Sequence, residues 1–258
     1  MSLKFRFIDH PPGRGAMNMA IDEVLTASDL PVLRFYTWQP ACLSLGFFQK
    51  AAEVNIDLCR ELNIDVVRRL TGGNAVLHKS ELTYSLICNA DLLPGSVIES
   101  YKVISSALLQ GLRNLGLNPV LNSTVPKGEK SPLCFHDSSW YEIQVNGRKI
   151  IGSAQKRMNH RILQHGSILV ETNAEQYCSL FHLSRPGLSV HLRKKMTSVN
   201  DEIGSRVDFC RLKEAMKKGF ESALQIEFET SLLAEKELQQ AEKLASDQYL
   251  NDQWNFLR

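Results

Sequence analysis

Residues 148–155 place a cation beside three of the smallest residue types. Lys149 follows a predicted Asn-Gly turn, and Gly152, Ser153 and Ala154 come where the predicted strand ends. Small residues in series leave room for a substrate to lie against the backbone. Lys149 would then be a fixed cation beside a narrow slot. A lysine after a tight turn is also common as an exposed surface residue, so both interpretations stay open at this point.

A second candidate segment joins a basic strand end to two glycines. Gly72 and Gly73 follow Arg69 and precede another predicted strand. Glycines allow a ligand to approach the backbone closely and leave N–H groups free to donate. The segment lacks the spacing and the following helix of a phosphate-binding loop, so an ordinary turn is the alternative. His165 and Gly166 could close the same site, although a lone histidine is more often structural.

The elements that position these residues are predicted from hydrophobic spacing and turn signals. Alternation predicts strands over Lys4–Ile8, Leu82–Cys88 and Ile162–Val170, and helical spacing predicts a helix over Met17–Ala27. Helices are also expected over Phe209–Leu224 and Leu233–Leu250. Strands and helices mix without strict alternation, which favours an α+β fold with mixed sheets flanked by helices. We expect a single catalytic domain over residues 1–258, without an added C-terminal accessory domain.

Local signals fix three further features. Ser96 with Glu99 forms a capping box that starts a helix. Asn146-Gly147 is the signature of a type I′ turn, so Glu142–Val145 and Arg148–Ile151 are expected to pair as a hairpin. Leu121–Leu133 is polar, with two prolines and a glycine, and is predicted to be a mobile loop.

Composition excludes several classes of protein. Of 258 residues, 43 % are hydrophobic and 22 % charged, which permits a packed core. No run approaches the ~20 apolar residues that cross a bilayer, and the N-terminus lacks the apolar stretch of a signal peptide. We therefore expect a soluble, cytoplasmic protein without a membrane partner. A net charge of +2 is too weak to indicate nucleic acid, and the basic run Arg193-Lys194-Lys195 is either a solvated face or a contact for an acidic protein.

Six cysteines stand at long, irregular intervals. No Cys-x-x-Cys pair is present, so no metal site is expected. Most of these cysteines are expected to be small buried hydrophobic residues.

Several ordered motifs between residues 17 and 169 resemble the lipoate–protein ligase A and octanoyltransferase family. They include Met17-Asn18-Met19-Ala20, Trp38-x-Pro40, Ser44-Leu45-Gly46, Arg68-Arg69-x-Thr71-Gly72-Gly73 with His78, Glu81-Leu82-Thr83-Tyr84-Ser85, Lys149-x-x-Gly152-Ser153-Ala154 and His165-Gly166-Ser167. The resemblance implies the biotin/lipoate protein ligase catalytic fold. In this family the double-glycine and Gly-Ser-Ala segments line an acyl tunnel, and the motif lysine holds the acyl carbonyl.

The resemblance therefore implies a site for a medium-chain acyl group. The expected substrate-binding residues are Arg69, Thr71, Gly72, Gly73, His78, Gly152, Ser153, Ala154, His165 and Gly166. An octanoyl tail buries about seven carbons at ~0.8 kcal/mol per methylene, so a dry tunnel would contribute roughly 5 kcal/mol. The Lys149 ammonium would stabilise the charge that grows on the carbonyl during acyl transfer.

Cys134 separates the two branches of this family. Ligases activate the acyl group with ATP, whereas transferases take it from a carrier thioester through a cysteine. Cys134-Phe135 and Ser139-Trp140-Tyr141-Glu142 resemble the cysteine-dependent octanoyltransferases of the ligase-like branch. A thiolate beside an ammonium has a lowered pKa, as a nucleophile requires. Cys134 and Lys149 are thus the expected catalytic residues, and His136 is a weaker candidate for a base.

The expected activity is transfer of an octanoyl or lipoyl group from an acyl carrier protein, through Cys134, to a lysine of a lipoyl-domain protein. The acceptor would be a protein such as the glycine cleavage H protein or a dehydrogenase E2, and no cofactor is expected. One alternative is an ATP-dependent lipoate ligase, which would need ATP and Mg²⁺. Another is an octanoyl amidotransferase between lipoyl-domain proteins. A non-catalytic acyl-binding or carrier-protein-binding module is the third.

Overall fold

The computed structural model describes residues 3–122, Leu133, 141–182 and 186–258 of the chain. Cys134, His136 and most of the predicted loop over Leu121–Leu133 lie outside these residues. The described strands are β1 (Leu3–Asp9), β2 (Val32–Tyr36), β3 (Cys42–Leu45), β4 (Asp65–Arg68), β5 (Val76–His78), β6 (Glu81–Asn89), β7 (Val120–Asn122), β8 (Glu142–Val145), β9 (Arg148–Met158), β10 (Arg161–Leu169) and β11 (Ile226–Thr230).

Nine α-helices lie in the part of the chain that the structure describes. They are α1 (Gly15–Leu25), α2 (Ile56–Glu61), α3 (Val97–Asn114), α4 (Ala174–Ser179), α5 (Leu188–Lys195), α6 (Val199–Ile203), α7 (Phe209–Leu224), α8 (Glu235–Leu244) and α9 (Asp252–Asn255). None of the described helices is long and apolar enough to cross a membrane.

The strands form two mixed sheets. The larger has the order β11-β1-β2-β6-β10-β9-β8-β7, and the smaller has the order β4-β3-β5. Strand β1 is parallel to both of its neighbours, whereas β2, β6, β10, β9 and β8 pair antiparallel in succession. Since helices surround both sheets, the predicted α+β fold with mixed sheets is confirmed.

Helices α3 and α7 cover one face of the larger sheet. Ile104, Leu108 and Leu112 of α3 are fully buried in the same apolar cluster as Met216 and Phe220 of α7. Their spacing of three or four residues places them on one side of each helix. This packing buries the apolar side chains that β6, β9 and β10 present to the two helices.

Local sequence signals explain several boundaries. Asn146 and Gly147 have φ values of 51° and 73°, as the predicted type I′ turn requires. The Ser96 hydroxyl accepts a 3.1 Å hydrogen bond from the Glu99 N–H, so α3 begins where predicted. The helix predicted over Leu233–Leu250 is instead α8 followed by a π-helical turn at Ala245–Tyr249.

Candidate active site

Lys149 is buried at the start of β9. Its side chain is 4 % exposed, and its Nζ donates a 2.6 Å hydrogen bond to Oε1 of Glu142, which is equally buried. The Lys149 carbonyl accepts from the Thr197 N–H at 2.9 Å. The interpretation of Lys149 as an exposed surface residue is therefore wrong. The Lys149 ammonium group is buried and held in a fixed position, because Lys149 and Glu142 lie in the paired strands β9 and β8.

The guanidinium of Arg69 holds the backbone of the double-glycine loop in place. Its guanidinium donates to the carbonyls of Ser44 (2.9 Å), Gly72 (2.7 Å) and Asn74 (2.8 Å). Gly73 has a φ of +88°, a backbone conformation that side-chain-bearing residues rarely adopt. A β-carbon on Gly72 would meet no atom within 4 Å. The loop is thus held rigidly while open space remains beside Gly72.

His165 connects this loop to the larger sheet. Its Nε2 lies 2.7 Å from the Thr71 hydroxyl, and its Nδ1 lies 3.3 Å from Oδ2 of Asp22. A carboxylate only accepts, so the ring donates from Nδ1, and in its neutral form Nε2 accepts from Thr71. Thr71 also accepts from Nε of Arg69 at 3.1 Å. His165 therefore positions the loop through Thr71.

Asp22 of α1 accepts the hydrogen bond from Nδ1 of the His165 ring. It was not among the residues predicted from the sequence. It accepts a 2.7 Å hydrogen bond from buried Arg34 and further hydrogen bonds from the Tyr36 and Ser85 hydroxyls at 2.8 Å. Burial acts to raise the pKa of Asp22, but the hydrogen bond from His165 and the charge of Arg34 outweigh it, so the pKa lies below its ordinary value. An acidic residue within the predicted apolar helix was the available signal.

His78, on the smaller sheet, lies between a carboxylate and a hydroxyl in the same way as His165. Its Nδ1 lies 3.2 Å from Oε1 of Glu81, its Nε2 lies 2.8 Å from the Ser44 hydroxyl, and its ring stacks on Trp38 at 4.0 Å. Burial lowers the pKa of His78 even though Glu81 opposes the shift. The Ser44 hydroxyl also accepts from Arg69 at 3.2 Å. One buried polar network thus runs from Glu81 through both histidines to Asp22.

The Gly-Ser-Ala and His-Gly segments lie directly opposite each other. In the register of β9 and β10, Ser153 pairs with Gly166, and Ala154 pairs with His165. A β-carbon on Gly166 would lie 2.5 Å from the Gly152 carbonyl oxygen and 2.6 Å from the Ser153 hydroxyl. Only glycine allows this close approach of the two strands. The Ser153 hydroxyl itself accepts from Tyr84 at 2.7 Å.

The fold thus brings the predicted segments into one region, although several of their polar groups bind protein. Arg69, Thr71, His78 and His165 all bond to other side chains or to the loop backbone. Direct contact between these residues and a substrate stays a prediction. Among the described residues, no group of three or more His, Cys, Asp or Glu side chains is arranged to hold a metal ion.

The cysteines differ from one another in exposure. Cys42, Cys59 and Cys88 are buried, and burial raises the pKa of Cys59 to about 11 and that of Cys88 to about 12. Cys178 is partly exposed and Cys210 is exposed on α7, so three of the five described cysteines are buried. The candidate nucleophile, Cys134, lies outside the described residues. Its neighbour in the chain, Leu133, is fully buried and forms a parallel β-bridge with Ala75.

Comparison with known proteins identifies the family. The sequence model of the lipoyl protein ligase A/B catalytic domain matches residues 14–221, and the chain belongs to this family. It is 40 % identical over 274 residues to octanoyltransferase LipM of Brevibacillus brevis, covering 99 % of each chain. It is 40 % identical over 275 residues to octanoyltransferase LipM of Bacillus subtilis, covering 98 % of each.

A solved structure shares the fold. The bi-partite lipoate protein ligase of Thermoplasma acidophilum superposes with a TM-score of 0.83 at 24 % identity, covering 99 % of this chain and 98 % of that one. The family resemblance and the catalytic fold predicted from the motifs are both confirmed.

Proposed function

We propose that the chain is an octanoyltransferase that moves an octanoyl group from a carrier-protein thioester to a lysine of a lipoyl-domain protein. Relatives named octanoyltransferase LipM support the reaction, since they are 40 % identical over nearly the whole chain. The thioester already carries the free energy needed to form an amide. The proposed reaction therefore needs neither ATP nor another cofactor.

The observation that carries this proposal is the buried Lys149 ammonium. It lies at the start of β9, three residues before the small-residue segment, and Glu142 holds it at 2.6 Å. A cation in a site of low polarity interacts strongly with charge that develops nearby, and its position requires no rearrangement during the reaction. Lys149 is thus suited to stabilise a carbonyl oxygen as it becomes negative.

Cys134 is the proposed nucleophile. Its thiolate attacks the carbonyl carbon of the donor thioester, so that a new C–S bond forms and the C–S bond to the carrier breaks. The carrier sulfur leaves as a thiolate and takes up a proton. In the second step the acceptor amine attacks the acyl-enzyme, the N–C bond forms, the C–S bond to Cys134 breaks, and the nitrogen loses a proton. The bridge between Leu133 and Ala75 supports this role, because it ties the preceding residue to the end of the double-glycine loop.

The same region offers space for the acyl tail. The position that a β-carbon on Gly72 would take has no atom within 4 Å, and Ser153 and Ala154 on β9 are only partly buried. Burial of seven carbons at ~0.8 kcal/mol each would contribute roughly 5 kcal/mol of binding free energy. We therefore assign a medium-chain acyl group of this length as the substrate of the site.

A transfer assay without ATP tests the proposal. Purified protein is incubated with octanoyl carrier protein and an unmodified lipoyl domain, and octanoylation of the domain is measured by mass. We expect transfer by the wild-type protein and none by Cys134→Ala. A parallel reaction with free lipoate and Mg-ATP tests the ligase alternative. Modification of the domain only in that second reaction would refute octanoyl transfer from a thioester.

A further inference from the structure

A cavity of about 210 Å³ opens where strands β5, β6 and β10 meet helix α4 and the end of α5. Its walls include the apolar side chains Leu77, Leu169, Tyr177 and Met196, together with Lys79 and Glu81. Such a space accommodates a side chain or a small ligand group rather than a whole acyl tail and its carrier arm. The mixture of apolar walls and one buried acid suits a ligand with an apolar stem and a polar end.

Glu81 has an oxygen that no described group satisfies. Its side chain is 1 % exposed, and Oε1 accepts hydrogen bonds from His78 Nδ1 (3.2 Å) and the Thr83 hydroxyl (2.6 Å). Oε2 is buried and has no hydrogen-bond partner within the described part of the chain. A buried carboxylate oxygen without a donor is unfavourable, and a bound ammonium would satisfy it with a charge-assisted hydrogen bond.

His78 does not neutralise Glu81. Burial lowers the pKa of the imidazole, so the ring is uncharged at neutral pH and contributes only a dipolar N–H. Because one buried oxygen of the Glu81 carboxylate lacks a donor within the described part of the chain, a ligand that brings a positively charged donor is favoured over a neutral one.

Two contacts link the cavity to Lys149 and to Leu133, the residue before Cys134 in the sequence. Met196 in its wall forms a β-bridge with Lys149, and neighbouring strands lie about 5 Å apart. Tyr177, also in the wall, donates a hydrogen bond to the carbonyl of Ala75, which pairs with Leu133, the residue before Cys134 in the sequence. One wall residue of the cavity therefore contacts Lys149, and another contacts Ala75, the bridge partner of Leu133.

We propose that this cavity binds the side chain of the acceptor lysine and that Glu81 receives its ammonium group and accepts one of its protons, so that the neutral amine attacks the acyl-enzyme thioester. This inference rests on the proposed octanoyl transfer and assigns the subsite of the second substrate. The four methylenes of a lysine suit the apolar walls, since lysine stems pack readily along apolar surface. The carboxylate selects an amine over the neutral amide groups of a carrier arm.

Glu81→Gln tests the assignment with little change in shape. The amide oxygen can still accept from His78 and Thr83, so the network around the smaller sheet is retained. Acyl-enzyme formation from octanoyl carrier protein is followed by intact mass, and its discharge to a lipoyl domain is followed separately. We expect the first step at the wild-type rate and the second slowed about 10- to 100-fold. Hydroxylamine, which needs no lysine subsite, should discharge the mutant acyl-enzyme normally.

A second variant tests the same cavity if Glu81→Gln does not fold. Thr172→Trp adds an indole to the wall of the cavity without altering Glu81, and it should also slow only the discharge to the lipoyl domain. Glu61→Gln, the same substitution at an exposed residue of α2, is the matched control and should behave as wild type.

The outcomes separate the two proposals. If Glu81→Gln discharges to the lipoyl domain at the wild-type rate, or if both variants slow the first step instead, the cavity is not the acceptor subsite. Slowing of hydroxylamine discharge to the same extent would show a general defect and would also overturn the assignment. If the wild-type protein forms no acyl-enzyme, the proposed octanoyl transfer fails and this inference fails with it.

Discussion

The buried ion pair between Lys149 and Glu142 allows the stability and the activity of this protein to be separated. The pair is 2.6 Å long, and each side chain is 4 % exposed. Lys149→Met removes the ammonium and leaves the Glu142 carboxylate buried without it. Adding Glu142→Gln removes the second charge while keeping the shape of the side chain. The double variant therefore lacks both charges but not the packing.

The two variants should differ clearly in stability. Removal of one partner of a buried ion pair destabilises by about 3–5 kcal/mol, whereas replacement of both by neutral side chains is often close to neutral. We expect Lys149→Met to lose about 3 kcal/mol and the double variant to recover at least about 2 kcal/mol of that loss. The measurement is urea unfolding of wild type, both single variants and the double variant.

Activity should not recover with stability. If Lys149 stabilises the developing charge on the acyl carbonyl, its loss reduces transfer about 10²–10³-fold. The double variant should therefore be folded, nearly as stable as wild type, and still slow in octanoyl transfer. Lys156→Met, which removes a half-buried lysine of the same strand, is the matched control and should retain transfer. A double variant that regains both stability and transfer would show that Lys149 serves only the fold.

Two further results follow from the geometry. Gly166→Ala should destabilise by about 1–3 kcal/mol in urea unfolding, because its β-carbon would lie 2.5 Å from the Gly152 carbonyl oxygen. Gly72→Ala, which meets no atom within 4 Å, should change stability by less than about 0.5 kcal/mol. It should slow transfer if the acyl tail lies there, and unchanged transfer would contradict that placement. Burial lowers the pKa of His78 in the folded state. Below about pH 6.5 the unfolded chain therefore binds a proton that the native chain does not bind. Stability consequently falls as the pH falls, by up to ~1.4 kcal/mol per pH unit. His78→Gln should flatten this dependence just below about pH 6.5, and an equal slope would contradict the assignment.

Much of the fold could be predicted because its signals are local. The Asn146-Gly147 turn, the Ser96 cap and the whole of α7 all depend on residues close in sequence. Strand β11 had no such signal, since it is short and only its first residue, Ile226, is buried. It forms by pairing with β1, more than two hundred residues away, and that contact is not visible in the local pattern.

The site was predicted in part for the same reason. Motifs identified the strands that carry Lys149 and His165, but not the acids that hold these side chains. Glu142 belongs to a recognised motif, yet only the hairpin register brings it to Lys149. Asp22 reaches His165 from a helix in another layer of the fold. Long-range pairing of buried charges is set by tertiary packing, so the sequence pattern could not assign the partners.

Cysteine exposure shows a related limit. The sequence predicted that most of the cysteines are buried, but Cys210 faces solvent on α7. The buried stripe of α7 is formed by Leu212, Ala215, Met216, Gly219 and Phe220, and Cys210 lies outside it, so residue type alone did not indicate its exposure. Labelling experiments on Cys134 should therefore use a Cys210→Ser background, in which the remaining described cysteines are buried or half-buried.

The most direct test of the central claim is the intact mass of the protein after exposure to octanoyl carrier protein without ATP, followed by peptide mapping. Octanoyl transfer through a covalent intermediate predicts a gain of one octanoyl group, located on Cys134 and absent from Cys134→Ser, because a serine hydroxyl is a far weaker nucleophile than a thiolate. No gain in mass, or an octanoyl group on any other residue, would contradict the mechanism.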